Sequence, residues 1–136
     1  MWLYDYAVDV STLEGKTIKT VEGLEKGSDR VKIETECGNV YVFEHEQDCC
    51  ETVLLDDFDG DGSDLIGGFV LSASEETNSE NQPSKYSESW LWTFYKIQTT
   101  KGHVWLKWLG ESNGYYSESV CFAWINNPNK KEVNYE

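Results

Sequence analysis

The sequence predicts a mainly β protein, a β-rich α+β single domain built on an antiparallel meander sheet with short helical turns. Three observations predict it. Segments rich in Val, Ile, Tyr, Phe and Trp alternate polar and apolar residues at period two. Turn signals such as "GSD" (27–29), "CGN" (37–39) and Asn113–Gly114 separate these segments at short intervals. No stretch with helical periodicity runs beyond about two turns. A chain of 136 residues fits one domain and buries roughly two-thirds of its unfolded surface, so it folds without staples. We read the domain as residues 1–126, followed by a polar tail over 127–136.

The elements follow in order. Tyr4, Tyr6, Val8 and Val10 lie at period two and predict a first strand; "STLE" (11–14) offers one capped helical turn before Gly15. "KTIKTVEGL" (16–24), "RVKIETE" (30–36) and "VYVFEHE" (40–46) read as a meander of three strands. "TVLLDDF" (52–58) is apolar and then acidic, and "DGDGSD" (59–64) is a loop. "LIGGFVLSASE" (65–75) is strand-like, with Gly67–Gly68 marking a bulge or a close backbone approach. Residues 76–89 are polar, contain Pro83 and read as a mobile loop. "WLWTFYKIQTT" and "HVWLKWLG", joined by "KG" (101–102), give the strongest hairpin signal. "ESNGYYSES" (111–119) turns the chain once more into a last strand, "VCFAWI" (120–125). With six Trp and eight Tyr, the core is expected to consist of flat rings more than aliphatic side chains.

The charge is strongly acidic. Twenty-five Asp and Glu against 11 Lys and Arg leave a net charge of −14. That disfavours direct nucleic-acid binding and anionic membranes. It suits a basic protein partner, a cation, or mimicry of a nucleic-acid backbone; the plainer reading is solubility. No long apolar run and no basic leader with an apolar core is present, so no signal peptide or membrane helix is expected and the chain is placed in the cytoplasm. Cys37, Cys49, Cys50 and Cys121 are then expected to be reduced. A Cys49–Cys50 bond is not expected, because adjacent residues rarely meet disulfide geometry. Unpaired strand edges leave room for a homodimer.

Three segments together, "HEQDCCE" (45–51), "WTFYKIQTTKGHVWLKWLG" (92–110) and "SNGYYSESV" (112–120), carry a resemblance. The chain resembles a family of short phage and bacterial proteins described as a domain of unknown function, over roughly residues 15 to 120. On that pattern His45, Gln47, Asp48, Cys49, Cys50 and Glu51 carry over, with Asn113, Gly114, Tyr115, Tyr116 and Glu118. The resemblance implies a phage or prophage accessory protein in the host cytoplasm, and no particular activity.

Several groups carry chemistry. His45 and Cys49 would share a face in a helical turn, and Cys37, Cys50 or Glu51 would complete a zinc site. Paired C-x₂-C spacing is absent, however, and the plainer reading is small buried thiols beside polar side chains that bond backbone. The same motif has the residue types of a thiol hydrolase, crowded into one stretch where such groups normally converge from separate ones. Asp57, Asp59, Asp61 and Gly62 match the first positions of a calcium loop, but its twelfth position is Gly68 and not Glu; they are weak calcium candidates. Tyr115 and Tyr116, with Asn113 and Glu118, form a loop of paratope-like composition, and Tyr116 or Trp108 would stack on a nucleotide ring. Trp92, Phe94, Trp105 and Trp108 read as core, and Trp90 as the most exposed tryptophan.

The reading that joins these features is a small acidic non-enzymatic protein that binds a host protein, as a host-takeover or anti-defence inhibitor, without a cofactor. The alternatives are a metal-binding or thiol-dependent enzyme centred on residues 45–51, or a nucleotide-sequestering protein. The candidate pocket joins His45, Gln47, Asp48, Cys49, Cys50 and Glu51 with Asn113, Tyr115, Tyr116, Glu118 and Trp90.

Overall fold

The computed structural model describes residues 3–60 and 62–129; the tail from residue 130 and Asp61 lie outside them. The mainly β class holds, and the strands divide between two four-stranded antiparallel sheets. The first sheet has the order β1 (Ile18–Glu22), β2 (Arg30–Thr35), β3 (Val40–Glu44) and β8 (Cys121–Trp124). The second has the order β4 (Thr52–Asp59), β7 (Gly102–Ser112), β6 (Ser89–Thr99) and β5 (Val70–Asn78). A single helical turn, α1 (Gly62–Leu65), precedes β5.

Alternation builds both sheets. In β2, Val31, Ile33 and Thr35 are buried while Arg30 is exposed. In β7, Val104, Leu106 and Trp108 point into the core and Trp105, Lys107 and Leu109 lie on the opposite face. Inward residues from the two sheets form one core whose largest fully buried members are Trp108, Tyr41, Tyr95 and Phe43. The rings of Phe43 and Tyr95 meet edge to face with centroids 4.6 Å apart, and Phe43 and Phe122 lie 4.7 Å apart. The first contact joins the two sheets and the second joins β3 to β8 within the first sheet, so flat rings carry the core as the aromatic content implies.

Two segments differ from expectation. Residues 3–13 form 3₁₀ turns, Leu3–Tyr6 and Val10–Leu13, in place of a strand. The Asp9 side chain accepts from the Ser11 amide and caps the second turn. Tyr6, Val10 and Leu13 are buried, so the turns bury their apolar positions without a strand's register. One bridge, Ala7 to Ala123, remains. The polar stretch after Glu75 is partly strand: β5 pairs with β6 as far as Asn78 opposite Trp92. The loop proper spans 79–88.

Sheet edges are partly covered. Val8 donates to Phe122 O along β8, and Gly15 donates to Val70 O at the start of β5. Ile18 of β1 donates to Gly68 O. Gly68 also packs closely on Thr99, since a Cβ there would lie 2.6 Å from Thr99 Oγ1. Such coverage blunts edge-to-edge association.

Candidate functional site

The stretch after β3 folds around one buried carboxylate. Glu51 and His45 are both buried. His45 Nε2 lies 2.5 Å from Glu51 Oε2, and Nδ1 lies 2.7 Å from Ser119 O. A carbonyl only accepts, so Nδ1 carries a proton and donates to Ser119. The Asp48 amide donates to Glu51 Oε2 and the Cys49 amide to Oε1, both at 2.9 Å. The Gln47 side-chain amide donates to Glu51 O at 2.8 Å. Burial alone would raise the Glu51 carboxyl. The bond with His45 and the amides of Cys49 and Asp48 outweigh it and bring the carboxyl down to about 2.

This turn corrects the expectation for the thiols. Cys49 and Cys50 are exposed, not packed in a corner, and they are joined by a disulfide between neighbours. The physical reason is the turn itself. Glu51 draws the amides of Asp48 and Cys49 inward to its carboxylate, and the side chains of Cys49 and Cys50 are left at the exposed surface. Cys37 and Cys121 are free, the first exposed and the second buried.

Around this turn opens a cleft of about 620 Å³. His45, Glu46, Gln47 and Asp48 form one wall, and Ser117, Ser119 and Val120 another. Tyr4 and Asp5 come from the first 3₁₀ turn, Glu75 from β5, and Ala7, Val8, Cys121 and Phe122 supply apolar surface. Asp5, Glu46, Asp48 and Glu75 thus share one concavity whose lining holds no Lys or Arg. Glu46 accepts the Tyr4 amide at 3.0 Å, which ties the first turn to the wall. Glu75 is exposed as a residue, yet desolvation of its carboxyl, and then the Asp9 carboxylate, raise it above the ordinary range. Burial, followed by the charges of Glu46, Glu75 and Glu44, pushes the Cys121 thiol up to about 11. A thiol so held is protonated and a poor nucleophile at neutral pH.

The structure brings together His45, Gln47 and Asp48 at this cleft, with Glu51 behind them. It does not bring Asn113, Tyr115 or Tyr116 into the lining. Tyr115 stands 86% exposed at the loop tip, and Tyr116 is half-buried. Asn113 Oδ1 accepts from the Tyr115 amide, and Glu118 Oε2 accepts from Ser112 Oγ at 2.6 Å. Trp90, on β6 opposite Glu111 of β7, does not line the cleft either; its indole donates to Glu80 O. Asp57 accepts from the Phe58 amide and faces Lys26 Nζ at 3.5 Å; Asp59 accepts from Gly60. Among the described residues, no three His, Cys, Asp or Glu form a group suited to a metal ion.

Asp5, Glu46, Glu75 and Cys121 were not singled out in the sequence. They lie on four separate segments, and only the crossing of the first turn between the edges of β8 and β5 assembles them. A partial signal existed: Glu46 and Cys121 each sit beside a motif residue.

The match to a family model decides the kinship, since it runs over residues 11–122, from the second 3₁₀ turn into β8. The chain belongs to the family DUF7448, a domain of unknown function. Its matched span contains all three segments of the resemblance and the greater part of both sheets. No curated protein and no solved structure matches the chain. Among the described residues no helix is long and apolar enough to cross a membrane.

Proposed function

We propose that this DUF7448 member is a small, acidic, non-enzymatic binding protein that takes a basic segment of a partner protein into the cleft beside His45. The carrying observation is the lining itself: four carboxylates, from Asp5, Glu46, Asp48 and Glu75, over apolar surface from Ala7, Val8, Val120 and Phe122. Carboxylates around an apolar floor suit a Lys or Arg side chain, whose stem packs while its head pairs. The net charge of −14 adds long-range attraction for a basic partner. His45 is the cleft's one basic side chain, and it is committed to Glu51 and Ser119.

The same geometry weighs against a thiol hydrolase. Such chemistry needs a thiolate beside a free imidazole. Here Cys49 and Cys50 are bonded to each other, Cys121 is held protonated, and both nitrogens of His45 are occupied. The reading requires no cofactor. Its extension, a phage or prophage product that occupies a nucleic-acid-binding host protein in the host cytoplasm as an anti-defence inhibitor, rests on the family resemblance and the charge.

The test is calorimetric titration of the full chain with a lysine-rich peptide. The triple variant Glu46→Gln, Asp48→Asn, Glu75→Gln is expected to bind at least about tenfold more weakly, a loss of about 1.4 kcal/mol. Binding should also weaken as salt is raised. Equal affinity for the variant and the parent would overturn the reading.

A further inference from the structure

The outer face of the second sheet carries an organised surface that shares only Glu75 with the cleft. The register aligns Ser74, Lys96, Trp105 and Asp59 in one row across β5, β6, β7 and β4. The next row is Glu76, Phe94, Lys107 and Asp57. A third begins with Asn78, Trp92 and Leu109. The third row is closed. Trp92 donates its indole N–H to Glu80 O at 2.7 Å, so the 79–88 loop lies against it, and Lys107 Nζ sits 4.4 Å from the centre of its ring. The first two rows are open. Phe94 and Trp105 are half-buried there, in a groove of about 720 Å³ that Ser74, Glu76, Asn78 and Lys96 also line.

We propose that this groove binds a neutral oligosaccharide, with Phe94 and Trp105 as its platform. The two rings come from adjacent strands and are diagonal neighbours, so their backbones stand about 7–8 Å apart on a rigid sheet. That spacing offers two successive apolar seats. The C–H faces of a sugar ring are apolar and weakly positive, and they meet the negative face of an aromatic ring favourably. Sugar hydroxyls both donate and accept. Lys96 supplies donors, Glu76 acceptors, and Ser74 both. Among the described residues no hydrogen bond or ion pair engages these three side chains, so binding breaks no internal bond.

Charge selects the occupant. The two lysines of the face alternate with Glu76, Asp57 and Asp59, which leaves no net positive field for a phosphate. A nucleotide would also approach a chain of net charge −14. A neutral polyol meets neither penalty. Few precisely placed polar groups around an aromatic concavity are also the usual composition of a small-ligand site.

The experiment is a ¹⁵N–¹H titration of the full chain with maltotriose, cellotriose and triacetylchitotriose, with AMP alongside. One of the three saccharides is expected to shift amides in 74–78, 92–96 and 104–107 with a Kd of about 1 mM or tighter. Phe94→Ala and Trp105→Ala should each weaken it at least about tenfold. Glu46→Gln, in the acidic cleft, should leave it unchanged. Lys96→Ala and Glu76→Gln lie at exposed positions and keep the test valid if either ring variant fails to fold; each should weaken binding severalfold. No amide shift with any saccharide up to about 10 mM would overturn the proposal. So would shifts on this face from AMP alone, or saccharide affinity indifferent to both Lys96→Ala and Glu76→Gln.

Discussion

The 45–51 turn and the 112–119 loop meet at one hydrogen bond, from His45 to Ser119, yet they are built in opposite ways. In the turn, polar side chains face inward. Glu51 alone receives the His45 ring and two backbone amides while 4% exposed. In the loop, short local bonds shape the backbone, as from the Tyr115 amide to Asn113 Oδ1 and from the Gly114 amide to Ser112 Oγ. Its most prominent side chain, Tyr115, points into solvent. The turn is therefore a fixed wall whose geometry depends on one buried pair. The loop is a local structure hung from the end of β7. A motif dense in reactive residue types can be scaffolding, and the groups that define a cleft can come from elsewhere.

The largest expected effect breaks the wall. Glu51→Gln replaces a carboxylate that accepts three hydrogen bonds with an amide whose nitrogen cannot accept. The melting temperature should fall by on the order of 10 °C. A fall of under about 2 °C would show that the turn does not depend on the pair.

Acid sharpens the same point. The Glu51 carboxyl lies lower in the folded chain, at about 2, than its ordinary value of 4.5. A depressed folded value means that the unfolded chain binds the proton first. The group's contribution is present above about 4.5 and is lost as pH falls from there toward 2. Urea midpoints measured from pH 6 down to pH 2 should decline less steeply in Glu51→Gln than in the parent over that window. Parallel declines would contradict the assignment.

The loop has one rigid anchor. A Cβ at Gly110 would lie 2.2 Å from Glu118 O. Gly110→Ala should cost about 2 kcal/mol in chemical denaturation, as overpacking does. Tyr115→Ala, at the other end of the loop, should stay within about 0.5 kcal/mol of the parent. Similar costs for the two would erase the distinction between anchor and tip.

The sulfurs give a chemical readout without a mutation. Alkylation of the native chain before any reductant should label Cys37, which is exposed and whose thiol is lowered by hydrogen bonds with Thr35 and Asn39. Peptide mapping should then find Cys49 and Cys50 unlabelled and joined. Rapid labelling of both would contradict the disulfide.

The strands were legible because period-two alternation and turn residues are local signals. Residues 30–35 and 102–112 are strands where the alternation is cleanest. The same signal misled at Tyr4, Tyr6, Val8 and Val10. Over so few residues a chance alternation is compatible with 3₁₀ turns, and the Asp9 cap decides between them. The extension of β5 to Asn78 was hidden because its outer residues are polar and its partner, β6, begins beyond the loop. The two-sheet division depends on which strands pair at long range, as when β8 returns to β3, and no local pattern encodes that. The cleft was half legible. His45 and Asp48 stood in a conspicuous motif, whereas Asp5 and Glu75 became neighbours only through packing.

The central claim is that the acidic cleft, and not the exposed tyrosine loop, is the contact surface for a basic partner. Amide shift mapping of the full chain with the lysine-rich peptide tests it most directly. The account predicts that the largest shifts fall at Ala7, Val8, Glu46, Asp48, Glu75 and Ser119, and that they shrink in the triple carboxylate variant. Shifts centred on Gly114, Tyr115 and Tyr116, unchanged in that variant, would contradict it.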